Sequence, residues 1–154
     1  MRAVVTRVKS ASVTIDGKVN GKIGKGFLVL LGVAPDDTEE TAVKLAGKVC
    51  GLRVFEDAEG KMNRSLEQEE GSLLVVSQFT LYADLKSRRP GFSKAAKPEL
   101  AEPLYETFME ECRRLGFPVE HGEFGAEMQV ESINDGPVTL LFDTDRRDGG
   151  GKNA

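Results

Sequence analysis

The stretch VESINDGPVTLLFDT, residues 130–144, decides how the end of this chain is built into the fold. Apolar residues on both sides of Asn134-Asp135-Gly136-Pro137 predict one strand over residues 127–133 and another over 138–143. Asn-Asp or Asp-Gly alone would supply a turn. The additional Gly-Pro pair indicates a backbone conformation other than that of a simple turn. We expect the two strands to reverse direction tightly at this pair.

The rest of the chain has the pattern of short strands with two helices between them. Asp16-Gly17 marks a hairpin turn, and the continuous apolar run GFLVLLGV is typical of a strand buried on both faces. The other predicted strands cover residues 2–8, 12–16, 19–23, 26–33, 52–55, 73–79 and 119–123, with a loop or hairpin over 56–71. Roughly eight strands and two helices indicate an α+β or α/β domain, with a curved sheet or barrel-like β core and both helices packed outside.

Two amphipathic helices are predicted from apolar residues spaced three and four apart. The first is capped by Asp37 or Thr38 and ends near Cys50, and the second covers residues 99–115 and is stopped by Gly116. The residues expected on the buried face of the first helix are Val43, Ala46, Val49 and Cys50. Those expected on the buried face of the second are Leu100, Leu104, Phe108, Cys112 and Leu115.

Length and composition limit the class of protein. The chain has 154 residues, 40% of them hydrophobic and 30% charged, which fits one domain over residues 1–145 followed by a polar, Gly-rich tail at 146–154 that we expect to be disordered. No apolar run is long enough for a membrane helix, and the charged N-terminus lacks the apolar core of a signal peptide. We therefore expect a cytoplasmic protein. The two cysteines form no disulfide framework and no zinc pattern.

The charge pattern limits how nucleic acid could bind. The net charge is -4, whereas a protein that binds nucleic acid by bulk attraction is usually basic. Any contact with RNA must therefore be local. The candidates are Lys86, Arg88 and Arg89, which cluster in an expected loop. Composition alone favours an ordinary solvated loop for them.

Familiar catalytic patterns are absent from the sequence. His121 is the only histidine, in a strand expected to be exposed, and nothing pairs it with a reactive serine. We expect no metal and no cofactor, because ligand spacings, phosphate-binding loops and dinucleotide motifs are missing. What remains is Ser77-Gln78-Phe79-Thr80, where strand alternation would send Ser77 and Phe79 to one face. Taken alone, this motif is better explained as a strand end whose hydroxyls are satisfied.

Several motifs together resemble the D-aminoacyl-tRNA deacylase family. SQFTLYAD at 77–84 and NDGPVT at 134–139 resemble the two signatures of that family, and the opening MRAVVTRVKSASVTIDG resembles its first hairpin. KSRRPGF at 86–92 is also similar, although the family more often has Gly where this chain has Ser87 and Ser where it has Gly91. The resemblance covers nearly all of residues 1–144 in the same order.

The resemblance implies an enzyme that hydrolyses the ester between a D-amino acid and the 3′-terminal adenosine of tRNA. It implies a deacylase-like fold and a homodimer whose active sites lie at the subunit interface. Residues 77–80 would line the catalytic pocket, and the Gly136-Pro137 peptide bond would be cis and would reach into the partner's pocket. Whether glycine mischarged on tRNA(Ala) is also removed stays open.

Elementary chemistry gives a reason for such a design. Only about 5–6% of X-Pro bonds in folded proteins are cis. A cis bond at this position would turn two carbonyl oxygens the same way, toward the ammonium group of the substrate. The same backbone would fill the space that an L side chain needs. An aminoacyl ester is already reactive, so positioning and an oxyanion site formed by N–H groups near Phe79 and Thr80 would suffice. Thr80 could also act as a nucleophile, but no visible base activates it, and we favour assistance by the 2′-hydroxyl of the RNA.

Two other classes of function stay open at this level. The first is a nucleic-acid-binding module without catalysis, using the basic loop over residues 86–97, which the acidic net charge disfavours. The second is a Ser/Thr hydrolase of small esters, which would be inhibited by a serine-directed phosphonate and indifferent to tRNA. A deacylation assay separates the binding module from the deacylase, and the phosphonate and tRNA tests separate the small-ester hydrolase from it.

Overall fold

The sheet is organised around one long strand at the start of the chain. The computed structural model describes residues 1–145, and the tail expected at 146–154 lies outside them. β1 (Arg2–Ile15) is a single strand, whereas the sequence predicted two, over 2–8 and 12–16. The predicted gap is bridged because β1 is paired to neighbouring strands along most of its length.

A tight hairpin connects β1 to β2 (Lys18–Ile23). Asp16 and Gly17 at its tip have φ angles of 49° and 77°, and a two-residue hairpin turn of this kind requires positive φ at both positions. The hairpin predicted from the Asp-Gly pair is therefore confirmed. β2 then pairs antiparallel with the second half of β1.

A helix and a small separate hairpin follow the third strand. β3 (Gly26–Gly32) is followed by α1 (Glu39–Cys50), and then by β4 (Phe55–Glu56) and β5 (Met62–Arg64). The last two strands pair with each other in a sheet of their own. The hairpin expected in this region is present, but the strand predicted over 52–55 begins only at its last residue.

The main sheet curls into a nearly closed barrel. β6 (Ser72–Ser77) pairs in parallel with β3 and with β7 (Val119–His121), which gives the order β2-β1-β3-β6-β7. The two outer strands meet again where the side-chain amide of Asn20 donates to the carbonyl of His121 at 2.7 Å. β3 is buried almost throughout, as its apolar run indicated. The barrel-like core that the sequence predicted is confirmed.

Two helices pack against each other outside this barrel. The hydroxyl of Thr38 accepts a hydrogen bond from the Thr41 N–H and so caps the start of α1. The second helix, α2, spans Pro98–Arg114. The buried residues are Ala42, Leu45, Ala46, Val49 and Cys50 in α1, and Ala101, Leu104, Tyr105, Phe108, Met109 and Cys112 in α2. The prediction was wrong for Val43 and Leu115, which are 39% and 41% exposed. Val43 lies at the edge of the buried stripe, and Leu115 follows the last helical residue. Within residues 1–145, no helix is long and apolar enough to cross a membrane.

The last strand corrects the prediction of a tight reversal. β8 (Gln129–Asp143) runs antiparallel to β1 over its whole length. The chain therefore keeps its direction through Gly136-Pro137, and the strands expected on either side are two parts of one strand. Within the described part of the chain, β8 pairs with β1 alone and most of its residues are exposed. It forms a long open edge of the sheet.

Candidate active site

The polar motif at residues 77–80 lies where β6 leaves the sheet. β6 ends at Ser77, and Phe79–Tyr82 form a 3-10 turn. The alternation expected for Ser77 and Phe79 is therefore wrong, because Phe79 does not belong to the strand. The N–H of Gln78 still donates to the carbonyl of Leu31 at 2.8 Å. The backbone of β3 thus sets the point at which the turn begins.

The start of this turn presents backbone donors. Phe79 and Thr80 are its first two residues, and N–H groups at such positions have no partner within the helix. The side-chain amide of Gln78 donates to the Thr80 hydroxyl. An amide cannot take the proton from that hydroxyl, so this contact orients Thr80 without activating it as a nucleophile.

An apolar cavity of about 390 Å³ opens beside the turn. Ser77 and Gln78 bring polar groups to its wall. Phe79 and Phe92 stand together there, with ring centroids 5.0 Å apart and the rings edge to face. The other lining residues are Leu31, Val33, Ala95, Ala96, Lys97, Pro98, Ala101, Tyr105, Phe124 and Gly125. A mostly apolar cavity of this size with a few polar groups suits a small molecule or the end of a larger one.

Titratable side chains supply little acid or base chemistry to this cavity. The Tyr105 hydroxyl donates to the carbonyl of Val75 at 2.9 Å, and burial raises the pKa of Tyr105, so the phenol stays neutral. His121 lies on β7 with its Nδ1 2.6 Å from the carbonyl of Gly122. It is exposed and does not line the cavity, as the sequence led us to expect.

The basic cluster lies on a loop next to the cavity. Asp84 and Gly91 close this loop with two backbone hydrogen bonds of 2.7 and 3.0 Å. Phe92 follows the closing pair directly and lines the cavity. The exposed residues of the loop include Lys86, Arg88 and Arg89. The structure therefore brings the candidate RNA contacts close to the polar motif at the end of β6.

Gly136 and Pro137 stand in a protrusion of β8. In the register with β1, residues 135–138 lie opposite Arg7 alone, between two regularly paired segments. The peptide bond between Gly136 and Pro137 is cis, as the resemblance implies. Four residues facing one must leave the plane of the sheet, so this segment projects from the open edge.

Asn134 closes the base of the protrusion. Its side-chain oxygen accepts a hydrogen bond from the N–H of Val138 at 3.0 Å, and its side-chain nitrogen donates to the Thr139 hydroxyl at 3.0 Å. Asn and Asp commonly bond to backbone a few residues ahead in turns. The single side chain of Asn134 therefore ties together the two ends of the projecting segment.

Arg7 anchors the protrusion from beneath. It is 5% exposed, and its Nε donates to the carbonyl of Asp135 at 2.9 Å while its Nη1 donates to the carbonyl of Val54 at 2.5 Å. Gly136 has a φ of 131°, and a Cβ there would lie 2.9 Å from Arg7 Nη2. Glycine thus permits both the backbone conformation and the close approach of the guanidinium group.

The two motifs do not meet within one chain. The protrusion belongs to β8, which pairs with β1, whereas the cavity lies at the end of β6, which pairs with β3. Neither Gly136 nor Pro137 lines the cavity. Two strands of the sheet therefore lie between the cavity and the projecting segment.

Nearly the whole described chain matches one family of known proteins. Residues 4–143 match the family described as D-Tyr-tRNA(Tyr) deacylase. The chain belongs to this family. It is 58% identical over 147 residues to the D-aminoacyl-tRNA deacylase of Symbiobacterium thermophilum, covering 95% of this chain and 97% of that protein. It is 59% identical over 145 residues to the enzyme of the same name from Roseiflexus castenholzii, covering 94% and 92%.

Solved structures place this deacylase-family chain in the same fold. It superposes on the c-Myc DNA unwinding element binding protein with a TM-score of 0.88 and 43% identity, over 94% of this chain and 99% of that one. A structure described as a probable eukaryotic D-amino acid tRNA deacylase gives a TM-score of 0.78 at 20% identity, over 92% and 97%. The second likeness concerns the fold alone.

Sequence reasoning missed the two residues that hold the protrusion in this deacylase-family chain. Alternation along β1 places Arg7 on the same face as Ala3 and Val5, which are buried. A charged side chain on a buried strand face needs partners, and that signal could have identified Arg7. Asn134 opens the NDGP motif and could have been identified from its usual role in turns.

Proposed function

We propose that this protein hydrolyses the ester bond of D-aminoacyl-tRNA and releases a free D-amino acid and tRNA, through a single deacylase domain over residues 1–145. The observation that carries the proposal is the apolar cavity at the end of β6, which Ser77, Gln78 and Phe79 line. Its size suits the 3′-terminal aminoacyl-adenosine of the substrate. The relatives at 58% and 59% identity are named D-aminoacyl-tRNA deacylases.

The proposed chemistry relies on backbone groups and on the substrate itself. Water attacks the ester carbonyl, and the N–H groups of Phe79 and Thr80 stabilise the negative oxygen that forms. The neighbouring 2′-hydroxyl of the ribose assists proton transfer as the C–O bond breaks and the 3′-oxygen leaves. Thr80 is exposed beside the cavity and is not among its lining residues. Its hydroxyl is not the nucleophile in this proposal, because its only side-chain partner among residues 1–145 is the Gln78 amide, which is no base.

The proposed active site is completed by a second copy of the chain. The open edge of β8 exposes the apolar residues Val130, Ile133 and Leu141, by 40%, 57% and 71%. Exposed apolar groups on a strand at the edge of a sheet favour association. In a homodimer related by a two-fold axis, the Gly136-Pro137 segment of one chain would enter the cavity of the other. Its carbonyl groups would accept hydrogen bonds from the substrate ammonium group, and its main chain would exclude an L side chain.

The loop next to the cavity is proposed to contact the body of the tRNA. Lys86, Arg88 and Arg89 are exposed there, and phosphate groups are the natural partners of such residues. Binding would therefore be local, consistent with the net charge of -4. We propose that the protein acts in the cytoplasm, on aminoacyl-tRNA present there.

The proposal is tested with matched D- and L-tyrosyl-tRNA and the purified protein. We expect the D-ester to be hydrolysed roughly a hundredfold faster or more, because rejection of the L side chain is steric. Comparable rates on the two esters would contradict the proposal. Binding of tRNA without cleavage would indicate a binding module, and cleavage of small esters with indifference to tRNA would indicate an ordinary hydrolase.

A further inference from the structure

A second cavity, of about 450 Å³, adjoins the same 3-10 turn that carries Phe79. It includes Tyr82, the last residue of that turn. Its walls come from segments far apart in sequence: the start of β1, the loop after β3, the turn itself, the segment before α2 and the residues after β8. The lining residues are Arg2, Ala34, Pro35, Asp36, Tyr82, Lys94 and Asp145.

Three carboxylates converge at this cavity. The carboxylate oxygens of Asp36, Asp37 and Asp145 lie within 4.8 Å of one another. Asp37 is buried and already accepts hydrogen bonds from the Ala34 N–H at 2.7 Å and from the Met1 ammonium at 2.8 Å. Asp36 and Asp145 are exposed, and neither carboxylate has an ion-pair partner among residues 1–145. The cluster therefore holds negative charge that the described part of the chain leaves uncompensated.

Tyr82 provides an independent sign that this cavity takes a ligand. The residue is only 4% exposed, and its hydroxyl has no hydrogen-bond partner within the described chain. Tyr82 lines the same cavity as Asp36 and Asp145, and a phenol at neutral pH can donate a hydrogen bond. A buried hydroxyl normally finds a partner, so an acceptor is missing at this position.

We propose that this cavity binds a hard divalent cation, with Asp36 and Asp145 as direct ligands and a cation-bound water as the acceptor for the Tyr82 hydroxyl. Carboxylate and water oxygens are the ligands such ions prefer. Ca²⁺ fits best because it accepts irregular geometry, and the ligands here come from a loop and from the residues after a strand. Asp37 adds negative charge from the buried side.

The positive groups around the cavity set the expected affinity. Arg2 lies over the Tyr82 ring, 4.5 Å from its centroid, and is paired with Asp143 at 3.1 Å. Lys94 lies 3.9 Å from Asp84 in an exposed pair. These cations reduce the attraction of the cluster for another one. We therefore expect dissociation constants of roughly 10⁻⁴ to 10⁻³ M, as in weak calcium sites.

Occupancy would join three parts of the fold. Asp36 precedes α1, Asp145 follows β8, and Tyr82 closes the turn that begins with Phe79. A bound cation would fix the end of β8 against the loop after β3. It would stabilise the folded protein by RT ln(1 + L/Kd), where L is the free cation concentration and Kd is its dissociation constant.

The composition of the chain allows a direct test with Tb³⁺, an oxygen-seeking ion whose emission is sensitised by nearby tyrosine. The chain has no tryptophan and two tyrosines, Tyr82 and Tyr105. Tb³⁺ added to the full-length protein should give saturable emission that Ca²⁺ displaces. Tyr82→Phe should abolish the emission and keep the carboxylates. Tyr105→Phe, in the other cavity, should leave it unchanged.

A second arm measures binding through stability and identifies the ligands. Ca²⁺ at about 10 mM should raise the thermal unfolding midpoint of the wild type. The double variant Asp36→Asn/Asp145→Asn should weaken Tb³⁺ binding by roughly tenfold or more. Asp16→Asn, at the exposed tip of the first hairpin, should not. Absence of saturable emission, or equal affinities of the wild type and the double variant, would overturn the proposal. Neither arm depends on deacylation.

Discussion

The two sequence motifs of this protein are held in opposite ways. Residues 77–80 continue a buried strand that pairs with β3 as far as Ser77, and the N–H of Gln78 still donates to the carbonyl of Leu31, so the sheet itself fixes where they begin. Residues 134–139 stand on an open edge strand and are mostly exposed. They are held by two side chains, Arg7 and Asn134. A motif that directly follows a buried strand is positioned by the pairing of that strand, whereas a motif that projects from an edge strand is fixed by side chains from behind.

The largest effect is expected at Gly136, where the projecting motif is most constrained. In Gly136→Ala, the added Cβ would lie 2.9 Å from Arg7 Nη2 and 3.2 Å from the backbone nitrogen of Val138. The segment must shift, and a displacement of about 1 Å in a positioning element can lower turnover roughly a hundredfold. Turnover of D-tyrosyl-tRNA measures the loss, and circular dichroism verifies the fold.

Gly47→Ala is the matched control. Gly47 lies within α1, and a Cβ there meets nothing within 4 Å. We expect unchanged turnover and a gain in stability of about 0.5–1 kcal/mol, since alanine favours a helix over glycine. If Gly136→Ala were as harmless as this control, the projecting motif would have no part in the site.

Mixing two inactive variants would test whether the two motifs act across a dimer. Gly136→Ala damages the projecting segment, and Ala95→Trp fills the cavity that Ala95 lines. If each site combines the cavity of one chain with the protrusion of the other, randomly paired chains should recover about one quarter of the wild-type activity, because half of the dimers carry one intact site. Turnover after joint refolding measures this. No recovery, in a sample shown by native mass spectrometry to contain mixed dimers, would contradict a shared site.

Arg7→Lys should have an intermediate effect. Lysine keeps the charge but cannot donate to the carbonyls of Asp135 and Val54 in the fixed fork of a guanidinium group. We expect a loss of about 1–3 kcal/mol in unfolding free energy and roughly tenfold in turnover. Urea unfolding and D-tyrosyl-tRNA assays measure the two. Arg113→Lys, at an exposed arginine of α2 whose single ion pair with Glu110 a lysine can keep, should cost less than about 0.5 kcal/mol. Equal effects of the two variants would remove Arg7 as the anchor.

The smallest effect is expected at Thr80, in the motif fixed by the sheet. Thr80→Ala removes a hydroxyl that contacts the Gln78 amide, and because Thr80 is not the nucleophile in this proposal we expect less than about a fivefold loss of turnover. Loss of a true nucleophile typically costs about 10⁴-fold or more. Single-turnover rates on substrate with and without the terminal 2′-hydroxyl give the comparison. A folded but inactive Thr80→Ala would make Thr80 the nucleophile.

Local patterns were the reliable part of the sequence analysis. The Asp16-Gly17 hairpin, the buried strand β3 and both helices are confirmed, because turn chemistry and hydrophobic period act over a few neighbouring residues. The errors came at boundaries. Phe79 left its strand for a 3-10 turn, and Gly136-Pro137 interrupted a strand without reversing it. In both cases pairing with distant strands overrode the local pattern.

Residue type and short spacing were enough to predict the kind of elements, their order and the motifs that resemble one family. Which distant groups meet could be read only from the folded chain. Arg7 reaches the carbonyl of Asp135, 128 positions away, and Asp36 comes to lie beside Asp145. Such contacts follow from strand register and from the curvature that closes the barrel. Both are properties of the whole sheet, to which every strand contributes and which no single segment encodes.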